Sequence, residues 1–390
     1  MRATSVLAPT LLAAVAAVTM PAATATAADG TSPCRDAAVV PVRTGAVFNN
    51  PAAGDPTAVV RQVCNLVKQA PAGSRIRIAH FVVSGEAGLD FATELVAAHQ
   101  RGVHVQLVLD GWQVPNPAVE ALRAEFGTDR SAPSFLHVCS RLSPEGNTAS
   151  CLGTKGNHNK FYLFSETGGR SDVVLQSSAN FTDLNSRTYW NNAVTFVENR
   201  RLYAAYDRYF GELAAEQHAD HHDDTVTTGM PGGSVTAYFF PRVEGDPVID
   251  HLAKVGCTTA ATIRIGMSEW DTYRLPIAQR LVELAGQGCQ VRIVHGLMAD
   301  EVRTVLSAHP NIALRELDSA NVLPGRIHSK YLLVEGNVDG DTDARWVLTG
   351  SPNFNQTSLR RNDEAMVRTN IRSVYQQYRN SFEQMYAAAL

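Results

Sequence analysis

Two short patterns recur in this chain, each made of residues that can act on a phosphodiester. His158-Asn159-Lys160 leads into Ser177-Ser178-Ala179-Asn180-Phe181, and His328-Ser329-Lys330 leads into Gly350-Ser351-Pro352-Asn353-Phe354. A lone His-x-Lys carries little information. Two copies, each followed by the same small-Ser-x-Asn-Phe step, are hard to obtain by chance. Residues at i and i+2 of a strand share a face, so each copy presents an imidazole beside an ammonium, and the residues between point into an apolar layer. Brought together, the copies supply one imidazole to attack phosphorus and another to protonate the leaving alkoxide and then activate water or an alcohol. Lys160, Lys330, Asn180 and Asn353 would stabilise the phosphoryl oxygens, with Ser178 and Ser351 adding hydrogen bonds. The lysines supply the positive charge, so no cofactor is called for and no metal site is expected.

These patterns sit in a larger internal repeat. Arg75-Ile76-Arg77-Ile78 matches Thr262-Ile263-Arg264-Ile265, the stretch around Gly102 matches that around Gly288, and Trp190-Asn191-Asn192-Ala193-Val194 echoes Asn362-Asp363-Glu364-Ala365-Met366. Gly102 and Gly288 lie further apart than His158 and His328, so the first half carries an insertion, which includes Cys139 and Cys151. In the second half, 336–341 reads as a longer hairpin turn. Each half alternates β-branched runs (76–83, 103–109; 263–267, 290–294) with apolar-periodic helices (91–100, 117–126; 276–285, 300–308). The His-x-Lys strand, one more strand and a terminal helix (200–215; 371–388) follow. This predicts an α/β chain of two tandem domains, each a mixed, largely parallel sheet flanked by helices and related by a pseudo-twofold axis. The expected boundaries are a signal segment at 1–27, a first domain at 28–216, a linker at 217–234 and a second domain at 235–390.

Arg2, the apolar run from Leu11 to Met20 and the small-x-small Ala25-Thr26-Ala27 read as a secretory signal, so a soluble, exported, extracellular protein is expected. The six cysteines agree with an oxidising compartment. Their favoured pairing, one of about fifteen arrangements, is Cys139–Cys151, Cys257–Cys289 and Cys34–Cys64. The net charge is −4. That weighs against a broad phosphate-tracking surface and says little against a small anionic headgroup.

The doubled motif resembles the phospholipase D superfamily, whose signature is His-x-Lys-x4-Asp followed by Gly-Ser-x-Asn. The resemblance covers nearly the whole mature chain, as in secreted actinobacterial phospholipase D enzymes. It implies that His158 and His328 act at the domain interface as nucleophile and general acid, with Lys160, Lys330, Asn180 and Asn353 as phosphate binders. The departures are Ser165 and Glu335 for the signature Asp, Ser177 for Gly350, and Asn191 where the second copy has Glu364. If Glu364 lies beside His328 and Asn191 beside His158, the carboxylate raises the pKa of His328. His158 is then the neutral nucleophile and His328 the general acid. Asp183 is an alternative orienter for His158.

Trp112, Trp190 and Trp270 fall in loops at strand ends, where substrates bind in α/β folds. One of these loops is expected to meet substrate, for instance a cationic headgroup against Trp or Tyr with an acid nearby. His80, His104 and His295 read as structural, with His295 near a strand end. His218, His221 and His222 with Asp220, Asp223 and Asp224 read as a solvated linker. The expected activity is hydrolysis of glycerophospholipids, with transfer to alcohols, at a membrane or vesicle surface. Alternatives are a secreted metal-independent endonuclease, which alone would take nucleic acid as partner, and an inactive phospholipid-binding relative. No obligate protein partner is implied, and a monomer suffices.

Overall fold

The computed structural model describes residues 32–113, 116–219, 221–257 and 261–390. The expected signal at 1–27 and Asp220 lie outside the described residues. Each half is built on one large sheet. The first has seven strands in the order Gly45–Phe48, Asn192–Phe196, Arg170–Ser177, Lys160–Thr167, Arg75–His80, His104–Leu109 and Phe135–Val138. The second runs Thr225–Met230, Gly233–Phe240, Glu364–Thr369, Asp341–Gly350, Lys330–Val338, Thr262–Trp270, Gln290–Met298 and Ile312–Glu316, with Val255–Gly256 paired off this path. The internal repeat is thus a repeat of sheet order, and in both halves the strand that opens on the motif lysine lies inside the sheet.

The sheets are mixed, but their parallel part is smaller than expected. Only Arg75–His80, His104–Leu109 and Phe135–Val138, with their counterparts in the second half, pair in parallel. The motif strand is antiparallel to both neighbours. It is joined to the next strand by tight turns at Gly168-Gly169 and Asp339-Gly340, whose φ angles are all positive. A turn of two residues can join only antiparallel strands. The stretch expected to be linker is also partly strand, because Thr225–Met230 pairs with Gly233–Phe240. Its alternately exposed residues mark an edge strand, and its threonines and glycine disguise it in the sequence.

Two helices pack between the sheets. Arg200–Ala215 starts at Asn199, whose side chain accepts from the Leu202 N–H. Tyr206, Tyr209, Phe210 and Leu213 follow at helical spacing on one face. Arg372–Ala388 contributes Tyr375, Tyr378, Phe382 and Met385 in the same way. One apolar cluster joins these residues to Phe161, Val174 and Val194 of the first sheet and to Phe239, Tyr331 and Val367 of the second. The halves therefore share a core. The outer faces carry separate clusters under Gly85–Gln100 and Pro117–Phe126 on one side, and under Leu275–Gly286 and Asp300–Ser307 on the other. Among the described residues, no helix is long and apolar enough to cross a membrane.

The cysteines pair as favoured: Cys34–Cys64, Cys139–Cys151 and Cys257–Cys289. Cys139–Cys151 closes the insertion of the first half. A second tie comes from the other half, where the buried Asp363 carboxylate accepts from the N–H groups of Cys151 (2.7 Å), Leu152 (3.2 Å) and Gly153 (2.6 Å). Burial pushes the Asp363 carboxyl up to about 7 against the pull of these donors. Replacing Asp363 with Ala strands three buried donors. The expected loss is about 3 kcal/mol of unfolding free energy, read from denaturant midpoints, with hydrogen exchange accelerated first at 151–153. An unchanged midpoint would show that this tie carries no stability.

Candidate active site

Each motif histidine stands just ahead of its strand, where the chain crosses to the other half. The His158 N–H donates to the Asp363 carbonyl and the His328 N–H to the Trp190 carbonyl, both at 2.9 Å. Asn157 bridges Asp363, and Arg326–Ile327 pairs in parallel with Tyr189–Trp190. The residue after each acceptor carbonyl is an orienting side chain, so the orienters are exchanged between halves. Glu364 lies 2.9 Å from His158 Nδ1, and Asn191 Oδ1 lies 2.9 Å from His328 Nδ1.

This reverses the expected pairing, which kept each orienter with its own motif. The expected pairing followed the order of the repeat along the chain, whereas cross-domain backbone pairing decides which side chain reaches which ring. Asp183 is no orienter either. Its carboxylate accepts from the Ala87 N–H at the start of the helix Gly85–Gln100.

A carboxylate only accepts, so the His158 proton on that side sits on Nδ1 and leaves Nε2 bare. On the other ring the network fixes the amide. Asn191 Nδ2 donates to Asn185 Oδ1 (3.3 Å), and its Oδ1 accepts from Ser178 Oγ (3.0 Å) and from His328. The two imidazoles differ in consequence. Burial lowers the pKa of His158, and Glu364 partly offsets this. Burial, Lys330 and Lys160 all lower His328, which lies well below the ordinary histidine value with no carboxylate to compensate. Burial alone would raise Glu364, but His158 and Lys160 outweigh it and hold the group ionised.

Lys160 and Lys330 are buried. Each ammonium donates to the carbonyl of its own motif histidine, at 2.8 Å and 2.5 Å. Desolvation lowers Lys160 well below the usual lysine range and Lys330 to about 7. Asn180 and Asn353 are buried too, and the Oδ1 of each has no hydrogen-bond partner. A buried amide atom without a partner is costly. Each follows its motif lysine along the chain, and the amide N–H groups are the donors available to phosphoryl oxygens.

The serines and two of the tryptophans hold the site instead of lining it. Ser178 supports Asn191. Ser351 Oγ donates to the Ala365 carbonyl and accepts from the Ala365 N–H, and it helps hold Glu364 ionised. Trp190 is buried, its indole N–H on the Pro324 carbonyl, and Trp270 donates to the Arg274 carbonyl and packs against Phe354. Trp112 is 56% exposed and stacks on Phe81, whose ring lies 4.9 Å from His158 and 5.0 Å from the Lys160 ammonium. Of the three tryptophans it alone stands at the rim. His295 bonds to the Gly296 carbonyl and Arg303, while His222 pairs with Glu212 and Asp224 with Arg208.

The departures from the signature have local explanations. Gly350 has no room for a side chain, because a Cβ would sit 2.4 Å from the Ala365 carbonyl. Ser177 occupies the matching place by donating to the Asn192 carbonyl (3.1 Å). Ser165 accepts from the Arg75 N–H, and Glu335 pairs with Arg264 and Arg345. Both lie five residues beyond the lysines and serve the far part of the sheet. Sequence reasoning passed over Asp110, Phe81 and Asp363 as site residues. Asp110 accepts from the N–H groups of Trp112 and Asn157 and so fixes the turn before His158. Asp363 was visible in the repeated block Asn362-Asp363-Glu364, but only as a match.

No curated protein sequence matches the chain. Among solved structures, phosphatidylserine synthase of Haemophilus influenzae Rd KW20 superposes with a TM-score of 0.60 at 14% identity, over 88% of this chain and 87% of that one. Polyphosphate kinase of Porphyromonas gingivalis gives 0.55 at 13%, over 88% of this chain and 50% of its own, so the chain spans half of that enzyme. At such identities the likeness speaks for the fold. A family model described as cardiolipin synthase, PLD-like domain, matches residues 63–214 and 258–386, the two halves in turn. The chain therefore belongs to the phospholipase D-like superfamily of phosphodiesterases and phosphotransferases.

Proposed function

We propose that this protein is an exported phospholipase D-type phosphodiesterase. It cleaves the distal phosphodiester bond of a glycerophospholipid, giving phosphatidate and a free alcohol, and passes the phosphatidyl group to water or to another alcohol. One observation carries the reading: two half-buried imidazoles, each fixed at Nδ1 by a group from the opposite half, beside two buried ammonium groups. Lipid is favoured over nucleic acid by the net charge of −4 and by exposed apolar side chains, on loops at Trp112, Leu184 and Leu323 and near a strand end at Leu297. Export is supported by the three disulfides.

In this mechanism His158 Nε2 attacks phosphorus and the bond to the leaving alcohol breaks. Attack makes the ring cationic, and Glu364 stabilises that charge through Nδ1–H. His158 thus keeps the role of nucleophile for a reason opposite to the one expected from the sequence: its partner is a carboxylate, not an amide. His328 gives its proton to the leaving oxygen. Held by a neutral amide, it forms the stronger acid once the anionic diester between the lysines offsets their charge. Neutral His328 then takes a proton from water or alcohol, which attacks phosphorus, and the P–N bond breaks.

Three outcomes test this. With EDTA present, choline should be released from phosphatidylcholine vesicles while plasmid stays intact; nicking with no choline release would favour a nuclease instead. With a substrate whose leaving group needs no acid, His328→Ala should still accumulate phosphohistidine and His158→Ala should not. A label mapped to His328 would reverse the roles. As part of the same role assignment, Glu364→Gln should lower kcat by about 10³-fold or more. The third concerns pH. Lys330 is depressed to about 7 in the free enzyme, so its positive charge is present below that pH and lost above it. Provided Lys330 limits the free enzyme, kcat/KM falls as pH rises through about 7. The same limb in kcat lies higher, because bound phosphate favours the charged lysine. Coincident limbs would remove Lys330 from phosphate binding.

A further inference from the structure

Besides Glu364 against Asn191, the two halves differ in a further charged residue near the site. The strand Thr262–Trp270 pairs antiparallel with the motif strand, with Met267 opposite Lys330, and the Ser268 N–H donates to the Ser329 carbonyl at 3.1 Å. Continued by one step, this register sets Glu269 opposite His328, on the face that carries Lys330. In the first half the same register sets His80 opposite Lys160, and two residues beyond His80 stands Val82, buried and apolar. The repeat thus gives the second half a carboxylate at the strand position where the first half has a valine.

The other carboxylates near the lysines are already engaged. Glu364 is held by His158 and Asn362. Asp110 accepts from the backbone at Trp112, Ala149 and Asn157. Glu269 is half-buried, and its Oε2 accepts a single hydrogen bond, from Asn355 Nδ2 at 3.3 Å. Its Oε1 has no hydrogen bond and it forms no ion pair among the described residues. Yet its charge acts on both motif lysines, most strongly on Lys330.

A carboxylate without an ion-pair partner beside a phosphate site is unfavourable for an anionic substrate unless the substrate brings a compensating cation. The leaving alcohol is the part of the substrate that lies next to His328 in the mechanism above. We propose that Glu269 is a specificity-determining residue that receives the ammonium group of an amino-alcohol leaving group, primary or quaternary, on the His328 side. This rests on the phospholipase reading, and it adds a preference for zwitterionic over net-anionic phospholipids.

The test compares wild type with Glu269→Gln and Glu269→Asp on monomeric short-chain phosphatidylethanolamine, phosphatidylcholine and phosphatidylglycerol. The readout is the ratio of kcat/KM for each zwitterionic lipid to that for phosphatidylglycerol. In Glu269→Gln the ratio should fall at least about tenfold, the scale of one ion pair formed only with the cationic substrate, and Glu269→Asp should recover part of it. An equal fall on all three lipids would mean that Glu269 acts only as a counter-charge for Lys330, which overturns the proposal. Wild-type turnover with an unchanged ratio also overturns it and leaves the phospholipase reading standing. Wild type inactive on every lipid removes that reading and this one with it.

Discussion

The exchange of orienting groups across the interface is the constraint on which the site depends. Glu364 belongs to the second sheet and holds the imidazole of the first, while Asn191 belongs to the first and holds that of the second. Neither half contains a complete histidine dyad. The exchange is enforced by backbone, since each motif histidine donates its N–H to the residue just before the other half's orienter. The shared core of tyrosines and phenylalanines from Arg200–Ala215 and Arg372–Ala388 fixes the two sheets against each other, so the rings inherit the rigidity of that packing.

Charge is the second constraint. Two buried lysines with only their own strand's carbonyls as hydrogen-bond partners cost stability in an empty site, and the low pKa of Lys330 expresses that cost. Asn180 and Asn353 add unpaired buried oxygens. An anionic tetrahedral group placed among them would relieve both lysines at once. Such a site binds charge that develops during reaction better than it binds water. The large apolar core and the three disulfides supply the stability that tolerates it.

Much of this was legible in the chain itself. The doubled motif located both histidines and both lysines, the repeat predicted two similar sheets, and the favoured cysteine pairing is the one observed. What escaped was less local. The parallel share of the sheets was overestimated, because strand direction depends on which strands become neighbours. The edge strand Thr225–Met230 was hidden by its threonines and glycine. Ser178, Ser351, Trp190 and Trp270 had the chemistry of substrate contacts, yet burial gave them backbone partners. Asp110 and Glu269 stood in the tryptophan loops expected near the site but without a role, and Phe81 became a site neighbour only in the folded chain.

By itself the sequence determined the candidate groups and their number, because residue types at fixed short spacings settle which side chains share a strand face. Only the tertiary structure decided that Glu364 serves His158 and Asn191 serves His328. Short-range spacing orders residues along one strand, but partners more than a hundred residues apart are chosen by how two sheets pack. Here the packing crosses the chain over at both histidines, so the carboxylate of one copy completes the imidazole of the other.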